Sequence, residues 1–363
     1  MPLPSLFAPI TIAGLALNNR LVMAPMTRRM SLCGIPAEDV AAYYGRRAEG
    51  GVGLIITEGT GIADPAALAE ANVPEFHGAG LEGWAQVVAE VHAAGARIFP
   101  QLWHVGSARR PAQTATPHLP AVSPSGLFSP DEPNGEALSE ARIAAIIAAY
   151  GAAAAAAQRI GCDGIELHFA HGYLVDQFLW RPTNRRTDRW GETRWLMARE
   201  VVAECRRAVG PAFPLCVRFS QWKQQDYAAR LFETPGELET FLAPIVDAGA
   251  DIFHCSTRRF WEPEFPGSPM NLAGWTKRLS GKPVITVGSV GLDADFLTTR
   301  VGDDPLTDAA RLDRLEDMLA RGEVDLVAVG RALIGDAQWG NKVREARFDA
   351  ITPFTRAALG SLD

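Results

Sequence analysis

The stretch AGADIFHCS, residues 248–256, combines a glycine that ends a helix with a short apolar run that predicts a strand. Glycine at this place is typical of the left-handed position that follows a helix. The same helix–glycine–strand pattern precedes four other apolar runs, at Gly50, Gly95, Gly161 and Gly322. One supersecondary unit is therefore repeated along the chain.

Eight apolar runs rich in Val, Ile and Leu are predicted to be parallel strands, because they are continuous rather than alternating and so suit burial on both faces. They cover residues 20–25, 52–59, 97–103, 164–168, 214–220, 251–256, 283–289 and 325–330. Predicted helices lie between them at 38–50, 81–94, 139–160, 192–209, 235–248 and 309–321. Eight such units fit a closed barrel or an open doubly wound sheet. The count of eight favours an α/β fold of the (β/α)8 TIM-barrel type, as a single domain over residues 1–363.

Three of the segments that leave predicted strands are long, at residues 104–138, 169–191 and 257–275. In a β/α barrel these segments all open onto the C-terminal face, where the active site is built. The last one carries four large aromatic residues, Phe260, Trp261, Phe265 and Trp275. A substrate-covering role is favoured over the alternative, tolerated surface insertion.

The composition limits the partners of the protein. Lys and Arg total 35 against 42 Asp and Glu, which gives a formal net charge of −7, and basic runs are absent. This balance argues against nucleic acid and against a membrane as partners. The five cysteines form no C-x-x-C pair, and residues 1–10 lack the pattern of a signal peptide, so we expect a cytoplasmic protein. The remaining partner is a small-molecule substrate, and a homo-oligomer stays open.

Polar residues cluster at the exits of the predicted strands. They are Thr27, Arg28, Glu58, Gln101, His104, His168, His171, Tyr173, Arg218, His254, Ser289 and Arg331. His168 is predicted to end a strand, with His171 in the following loop, so that two neutral imidazoles can donate hydrogen bonds to one carbonyl or nitro oxygen. Tyr173 adds a phenol with an ordinary pKa of about 10, which suits a general acid, although an ordinary loop tyrosine is an alternative.

A metal site built from the histidines at the strand exits is a second possibility. The spacing H-x-x-H lacks a carboxylate partner at a recognisable distance, and neither H-x-H nor H-E-x-x-H occurs in the sequence. We therefore predict no metal. A metal-dependent barrel hydrolase that uses His104, His168, His171 and His254 remains the alternative from a different functional class.

The last two strand exits predict a phosphate site. The stretches VGSVG (287–291) and VGRALIG (329–335) offer backbone N–H groups to an anion, and Arg331 can pair with it. Ordinary turn glycines are the alternative explanation. A G-x-G-x-x-G match at 78–83 does not follow a strand, so we interpret it as a loop that leads into a helix.

These motifs, in this order, resemble the Old Yellow Enzyme family. The resemblance rests on PMT (25–27), EG (58–59), QLWH (101–104), HFAHGYLVDQFL (168–179), TNRRTDRWG (183–191), VRFS (217–220), VGS (287–289) and VGRALIGD (329–336). It extends over nearly the whole chain, and residues 6–20 look like the N-terminal hairpin that closes the barrel floor in that family.

The resemblance implies an FMN-dependent enzyme that is reduced by NADH or NADPH and then reduces an activated alkene. By position, Pro25, Met26 and Thr27 would lie along the flavin, Gly59 and Gln101 would contact its ring system, and Arg218 would lie near its N1/C2 edge. Gly288, Ser289, Gly330 and Arg331 would hold the phosphate. His168 and His171 would bind the substrate oxygen while the flavin transfers hydride to the β-carbon, and Tyr173 would protonate the α-carbon.

The sequence departs from the family in several places. Thr27 occupies the position of a redox-tuning cysteine found in some relatives, Cys33 lies too far along the chain to be equivalent, and Arg29 replaces a substrate-contacting tyrosine. The aromatic segment 257–275 has no clear counterpart. No cysteine cluster follows the barrel, so we expect electrons to come directly from the nicotinamide. An oxidative relative, such as an amine demethylase, is the alternative on the same fold.

Overall fold

A computed structural model describes residues 3–292 and 309–363 of the chain. Its centre is a closed barrel of eight parallel strands, in which each strand pairs with its neighbour in chain order and the last pairs with the first. The strands are β3 (Leu21–Met23), β4 (Leu54–Gly61), β5 (Arg97–Trp103), β10 (Ile165–His171), β11 (Leu215–Lys223), β12 (Ile252–Ser256), β13 (Val284–Val287) and β14 (Leu326–Val329). The predicted TIM barrel is confirmed, and the open sheet is excluded because the barrel closes.

Helices connect the strands on the outside of the barrel. They are α1 (Glu38–Glu49), α2 (Gly80–Ala93), α3 (Glu140–Arg159), α4 (Leu174–Leu179), α5 (Arg189–Glu192), α6 (Leu196–Val209), α7 (Pro235–Asp247), α8 (Leu272–Ser280), α9 (Ala309–Ala320), α10 (Arg331–Gly335) and α11 (Trp339–Arg344). Short 3-10 turns lie at Leu32–Gly34, Gly106–Ala108, Pro111–Gln113, Phe348–Ala350 and Arg356–Gly360. The predicted helix at 192–209 is divided, since α5 ends at Glu192 and α6 begins at Leu196.

An antiparallel hairpin precedes the barrel, with β1 (Ile10–Ile12) paired to β2 (Leu15–Leu17). Ile12 and Leu17 of the hairpin pack in one apolar cluster with inward-facing side chains of the barrel strands, among them Val22, Leu54 and Phe99. The hairpin therefore contributes apolar side chains to the interior of the barrel. A second, larger cluster fills the space between the strands and the outer helices.

Strand β10 is longer than predicted and runs through His171 instead of ending at His168. Its pairing with β11 shifts between Phe169 and His171, which marks a bulge or similar irregularity. In a regular strand, residues three apart point to opposite faces. A bulge changes that alternation by one residue, so it accounts for how His168 and His171 come to face the same side.

The segment 104–138 contains two small sheets, one pairing β6 (Val122–Ser123) with β9 (Glu136–Ala137) and one pairing β7 (Leu127–Ser129) with β8 (Glu132–Pro133). The segment that follows β12 carries the start of α8. In that segment Phe260 and Phe265 are buried in the main core, and Trp275 packs edge-on against Phe265. The aromatic residues predicted to cover a substrate thus include two that are packed inward.

Among the described residues, one helix, α3, is long and apolar enough to cross a membrane, with a mean hydropathy of 1.3. Half of that stretch is buried inside the protein. Helix α3 also packs along α6 on the outside of the barrel. A single helix of this kind is weak evidence for a membrane span, because core helices of this length have the same composition.

Candidate active site

Four polar side chains from neighbouring strands meet inside the mouth of the barrel. Glu166 of β10 is fully buried, and its Oε1 accepts a hydrogen bond of 2.7 Å from Nε2 of Gln101 on β5. Its Oε2 lies 2.6 Å from Nδ1 of His254 on β12. Strand register explains the cluster, because Glu166 pairs with Gln101 on one side and Arg218 of β11 pairs with His254 on the other.

Charges are balanced within this cluster. Burial alone would raise the pKa of Glu166, but the His254 imidazole and the Arg218 guanidinium outweigh burial and lower it. Glu166 is therefore an anion beside a buried cation. Arg218 donates from Nη2 to the hydroxyl of Ser256 at 3.2 Å, whereas its Nε has no hydrogen-bond partner within the described protein. Nε2 of His254 is likewise buried and without a partner there.

The two histidines of the H-x-x-H motif present different ring nitrogens. Nδ1 of His168 accepts a hydrogen bond from the backbone N–H of Ala170 at 3.3 Å, which leaves the proton on Nε2. Nε2 of His171 lies 2.8 Å from the Ser256 hydroxyl, and that hydroxyl already accepts from Arg218. Among the described residues, Nε2 of His171 is the acceptor within reach of the hydroxyl proton, so this proton is directed at Nε2 and the His171 proton resides on Nδ1.

His168, His171 and Tyr173 form one compact group of rings. The centroid of His168 lies 5.1 Å from that of His171 and 5.0 Å from that of Tyr173, and 6.5 Å separates His171 from Tyr173. Burial, followed by the Arg218 charge, lowers the pKa of both histidines well below the usual range, so both imidazoles are neutral. Burial also raises the pKa of Tyr173 to about 12, which keeps the phenol protonated.

Aromatic rings surround the group on two sides. Trp103 stacks on His168 at 5.9 Å and meets Tyr173 edge-on at 4.8 Å. On the other side, His171 stacks on Trp222 at 4.3 Å, Trp222 stacks on Tyr227 at 5.3 Å, and the Arg258 guanidinium lies 5.4 Å from the Tyr227 ring. Next to Tyr173 an apolar cluster includes Leu68, Val73, Val105 and Phe128. The mouth therefore has apolar walls around a small polar centre.

A tight turn carries His171 and Tyr173 to the same side. His171 and Gly172 have left-handed backbone angles, with φ of 66° and 78°, and such an angle is uncommon for a residue with a side chain. The turn is held by Asp176, whose Oδ2 accepts from the Gly172 N–H at 2.7 Å, and by Gln177, whose Nε2 donates to the Gly172 carbonyl at 2.7 Å. Asp176 in turn pairs with Lys223 at 2.9 Å, and both side chains are fully buried.

The predicted phosphate residues lie where β13 and β14 end. Gly288 has φ of 154° and Ser289 has φ of 51°, so the backbone turns sharply after β13. The Ser289 hydroxyl donates to the carbonyl of Arg258 at 3.0 Å. After β14, Gly330 precedes the short helix α10, which begins at Arg331.

The segment after β3 lies beside these residues. A Cβ atom built at Gly330 would lie 3.3 Å from Sδ of Met26, so Gly330 and Met26 are neighbours. Pro25 and Met26 are half-buried and Thr27 is exposed. This segment is thus accessible at the mouth, as the predicted contact with a ligand requires.

Three residues near the strand exits make close contacts within the protein. A Cβ atom at Gly59 would lie only 2.4 Å from a ring carbon of Trp103, so this glycine makes room for the indole. Arg28 is buried and donates to the Tyr43 hydroxyl and to the carbonyls of Ala358 and Ser361, away from the mouth. The side chain of Arg29 is exposed and pairs with Glu70 at 2.6 Å.

His104 is also a structural residue. It is fully buried, its Nε2 lies 3.3 Å from Oδ1 of Asp64, and its Nδ1 accepts from the Gly106 N–H at 3.0 Å. His254 is paired with Glu166 inside the barrel. The histidines at the strand exits therefore do not converge on one point, and no group of three or more His, Cys, Asp or Glu side chains in the described part of the chain is arranged for a metal ion.

Other residues of the site were missed by sequence reasoning. Glu166 could have been found, because a carboxylate in the middle of an apolar strand needs a partner. Asp176 and Lys223 lie outside the predicted strands and helices, and the sequence assigned neither of them a role in the site. Trp222 and Ser256 became recognisable only through their contacts with His171.

The site fits a flavin mononucleotide. The two orphaned buried atoms, Nε of Arg218 and Nε2 of His254, offer a donor and an acceptor to a polar ring edge, and Gln101 lies between them and β4. Buried polar groups without a protein partner normally meet a ligand or ordered water. The glycine turns after β13 and β14 can approach a phosphate closely, at the place where β/α barrels commonly bind one. Fold and site together define a flavin-dependent oxidoreductase of the β/α-barrel class.

The chain belongs to the NADH:flavin oxidoreductase / NADH oxidase family, whose sequence profile matches residues 5–350. It is 32% identical to the NADH oxidase of Thermoanaerobacter brockii over 99% of this chain and 54% of that relative. The chain thus spans about half the length of the first curated relatives that it matches.

Solved structures agree with this family. Morphinone reductase in complex with tetrahydroNAD superimposes with a TM-score of 0.81 at 27% identity, over 99% of this chain and 96% of that one. The old yellow enzyme homologue from Zymomonas mobilis superimposes with a TM-score of 0.80 at 25% identity, over 99% of each chain. The resemblance to the Old Yellow Enzyme family is confirmed, as is FMN as cofactor.

Proposed function

We propose that this protein reduces a carbon–carbon double bond that is activated by a conjugated carbonyl or nitro group. The observation that carries the proposal is the group of rings formed by His168, His171 and Tyr173, with two neutral imidazoles beside a protonated phenol. Morphinone reductase, a structural neighbour whose name describes a reductase, superimposes over nearly the whole chain.

The cofactor is held by residues from several strand ends in this proposal. Pro25, Met26, Thr27 and Gly59 would hold the ring system of FMN, Gln101 and Arg218 would bind its polar edge, and Gly288, Ser289, Gly330 and Arg331 would hold the phosphate. Bound FMN supplies the redox chemistry, because it accepts reducing equivalents from NAD(P)H and passes them to the substrate.

The two histidines bind the substrate oxygen. Nε2–H of His168 and Nδ1–H of His171 are the ring donors left after the contacts with Ala170 and Ser256. Two such donors stabilise negative charge that develops on the oxygen as the double bond is reduced, and burial strengthens the effect because the local dielectric is low. Because both rings are neutral, they donate hydrogen bonds to the substrate oxygen without protonating it before the β-carbon has accepted hydride.

Tyr173 delivers the proton to the α-carbon. Its phenol lies 5.0 Å from His168 between ring centroids, and its raised pKa means that the proton stays on the oxygen until the substrate withdraws it. The apolar cluster of Leu68, Val73, Val105 and Phe128 beside Tyr173 suits a hydrophobic substrate body and excludes water from the protonation step.

The test is a comparison of two half-reactions in the purified protein, which we expect to be yellow with bound FMN. The Tyr173→Phe variant should be reduced by NADH or NADPH at the wild-type rate. Its reoxidation by an enone such as 2-cyclohexenone should slow by about 10² to 10⁴-fold, the usual contribution of a general acid.

The Tyr150→Phe variant is the matched control, because it removes a phenol oxygen from helix α3 within the main core. It should leave both half-reactions near wild type. Equal loss in both half-reactions of Tyr173→Phe would remove Tyr173 from the proton-donor role. A colourless protein that does not take up FMN would overturn the proposed activity.

A further inference from the structure

Glu166 organises the three polar side chains that face it inside the barrel. Its two carboxylate oxygens bind Gln101 at 2.7 Å and His254 at 2.6 Å, and the Cys216 thiol lies 3.6 Å from Oε2. The side chain itself is fully buried. A buried carboxylate is costly unless its lone pairs are satisfied, and here hydrogen-bond donors reach both oxygens.

The contact with Gln101 fixes the orientation of an amide. Because Nε2 of Gln101 donates to Glu166, the carbonyl Oε1 is the end that is left to face a ligand. A carbonyl oxygen can accept a hydrogen bond from an imide N–H, which is the donor that the pyrimidine part of a flavin carries. Without the carboxylate, the amide could rotate and present its NH₂ group instead.

The contact with His254 fixes a tautomer. Nδ1–H of His254 donates to the carboxylate, so the buried and unpartnered Nε2 carries a lone pair. Glu166 thereby determines that this ring nitrogen is an acceptor. One carboxylate on β10 thus controls the hydrogen-bonding character of two side chains, one on the adjacent strand β5 and one on β12, beyond β11.

The third effect is electrostatic. Arg218 is the cation of the cluster, and it pairs in strand register with His254, which the Glu166 carboxylate binds at 2.6 Å. The negative charge of Glu166 therefore partly cancels the positive potential that Arg218 creates at the mouth of the barrel. Reduction places additional negative charge on the pyrimidine edge of a flavin, so a nearby carboxylate opposes reduction while a nearby guanidinium favours it.

We propose that Glu166 is a positioning residue for bound FMN, which orients Gln101 and His254 toward the flavin and, by offsetting Arg218, lowers the reduction potential of the cofactor. The inference rests on the placement of FMN against Gln101 and Arg218 in the proposed function. It extends that function, because Glu166 acts through other residues and makes no contact with the substrate.

The experiment measures the midpoint potential of the FMN-loaded protein against a reference dye, together with the dissociation constant of oxidised FMN. The Glu166→Gln variant removes the charge at nearly constant volume. Its potential should rise, since the affinity for reduced relative to oxidised FMN increases about tenfold, which corresponds to about 30 mV for a two-electron couple. An unchanged or lower potential in Glu166→Gln would overturn the electrostatic role.

The Glu166→Asp variant separates charge from geometry, because it keeps the carboxylate but draws it away from Gln101 and His254. We expect weaker binding of FMN at a potential close to wild type, and unchanged binding would overturn the positioning role. If Glu166→Gln binds FMN too weakly for a potential titration, the ratio of its dissociation constants for oxidised and reduced FMN gives the same quantity through the thermodynamic cycle. If Glu166 had only a structural role, both variants would bind FMN more weakly, but the reduction potential of Glu166→Gln would not rise.

Failure of the proposed function gives a different result. The Gln101→Ala and Arg218→Lys variants should weaken the binding of FMN if the flavin lies against these residues. Wild-type affinity and potential in both would show that the cofactor does not lie here. Sensitivity of these two variants together with an unaffected Glu166→Gln would overturn only the inference about Glu166.

Discussion

The Ser256 hydroxyl lies 2.8 Å from Nε2 of His171 and accepts a hydrogen bond from Arg218 at 3.2 Å. One hydroxyl therefore connects the buried cation at the proposed flavin edge with an imidazole of the proposed substrate site. Because Nε2 of His171 is the acceptor within reach of this hydroxyl among the described residues, the hydroxyl proton points to His171 and leaves the Nδ1–H of that ring as the donor for a substrate oxygen.

We predict that Ser256→Ala weakens the binding of an enone. Without the hydroxyl both neutral tautomers of His171 become available, and one of them lacks the Nδ1–H donor. A hydrogen bond contributes about 1 kcal/mol, so KM for 2-cyclohexenone should rise several-fold, to about tenfold at most. Steady-state kinetics with Ser256→Thr as the control checks this, because threonine keeps the hydroxyl. Equal KM values in the two variants would contradict the prediction.

The buried ion pair of Asp176 and Lys223 leads to a second prediction. Asp176→Asn leaves the Lys223 ammonium uncompensated in a site without solvent access, and breaking a buried pair in this way costs about 3–5 kcal/mol. The double variant Asp176→Asn/Lys223→Met removes the charge as well and should recover part of that loss. Thermal midpoints of the four proteins in the double-mutant cycle measure the coupling.

An exposed pair supplies the comparison. Glu345 and Arg347 lie 2.7 Å apart, and both side chains are about half exposed. Glu345→Gln should change stability by less than about 1 kcal/mol, because solvent screens surface ion pairs. If Asp176→Asn proved as mild as Glu345→Gln, the buried pair would not be what holds the turn at Gly172.

Much of the fold could be predicted from periodicity. The eight apolar runs correspond to the eight barrel strands, and glycines at the helix ends, such as Gly95, Gly161, Gly249 and Gly322, adopt the left-handed angles that their positions imply. At the helix end before β4, where the sequence pattern indicated Gly50, the positive φ belongs to Gly51 instead. Such signals are local, because each depends on residues that are neighbours in the chain.

The site was less predictable, because its contacts are made between distant strands. The motif around His168, His171 and Tyr173 was recognisable, but the strand irregularity that places both histidines on one side was not. Arg28 and His104 lie at strand exits like the others, yet packing turns them toward Tyr43 and Asp64. The inward packing of Phe260 and Phe265 likewise depends on helix α8, which the sequence pattern did not reveal.

Gly59 provides a prediction about packing. A methyl group at this position would lie 2.4 Å from the Trp103 ring, so Gly59→Ala must displace the indole that stacks on His168. Overpacking of this kind typically costs about 1–3 kcal/mol. The Gly236→Ala variant is the control, because nothing closer than 4.0 Å surrounds the added carbon near the start of α7. Thermal midpoints should fall for Gly59→Ala and stay level or rise for Gly236→Ala.

The carboxyl group of Glu58 leads to a prediction about pH. Glu58 is almost fully buried, and its Oε2 accepts from the N–H groups of Arg28 at 2.8 Å and Arg29 at 3.4 Å. Burial outweighs these contacts and raises the pKa of Glu58 from its usual 4.5 to about 7. The folded protein therefore binds a proton more tightly than the unfolded chain does, and ionisation of Glu58 opposes folding.

The sign of the pH dependence follows from this shift. The favourable contribution of protonated Glu58 is fully present below about pH 4.5 and is lost as the pH rises through about 7. Glu58→Gln mimics the protonated carboxyl group and can still offer one oxygen to both N–H groups. The stability of this variant therefore does not fall as the pH rises through about 7. Relative to wild type, Glu58→Gln should gain up to about 3 kcal/mol between pH 4.5 and 7, with no further gain above pH 8. Thermal midpoints of both FMN-loaded proteins across that pH range provide the measurement. A difference in midpoint that does not change with pH would show that Glu58 has the same pKa in the folded and unfolded chain.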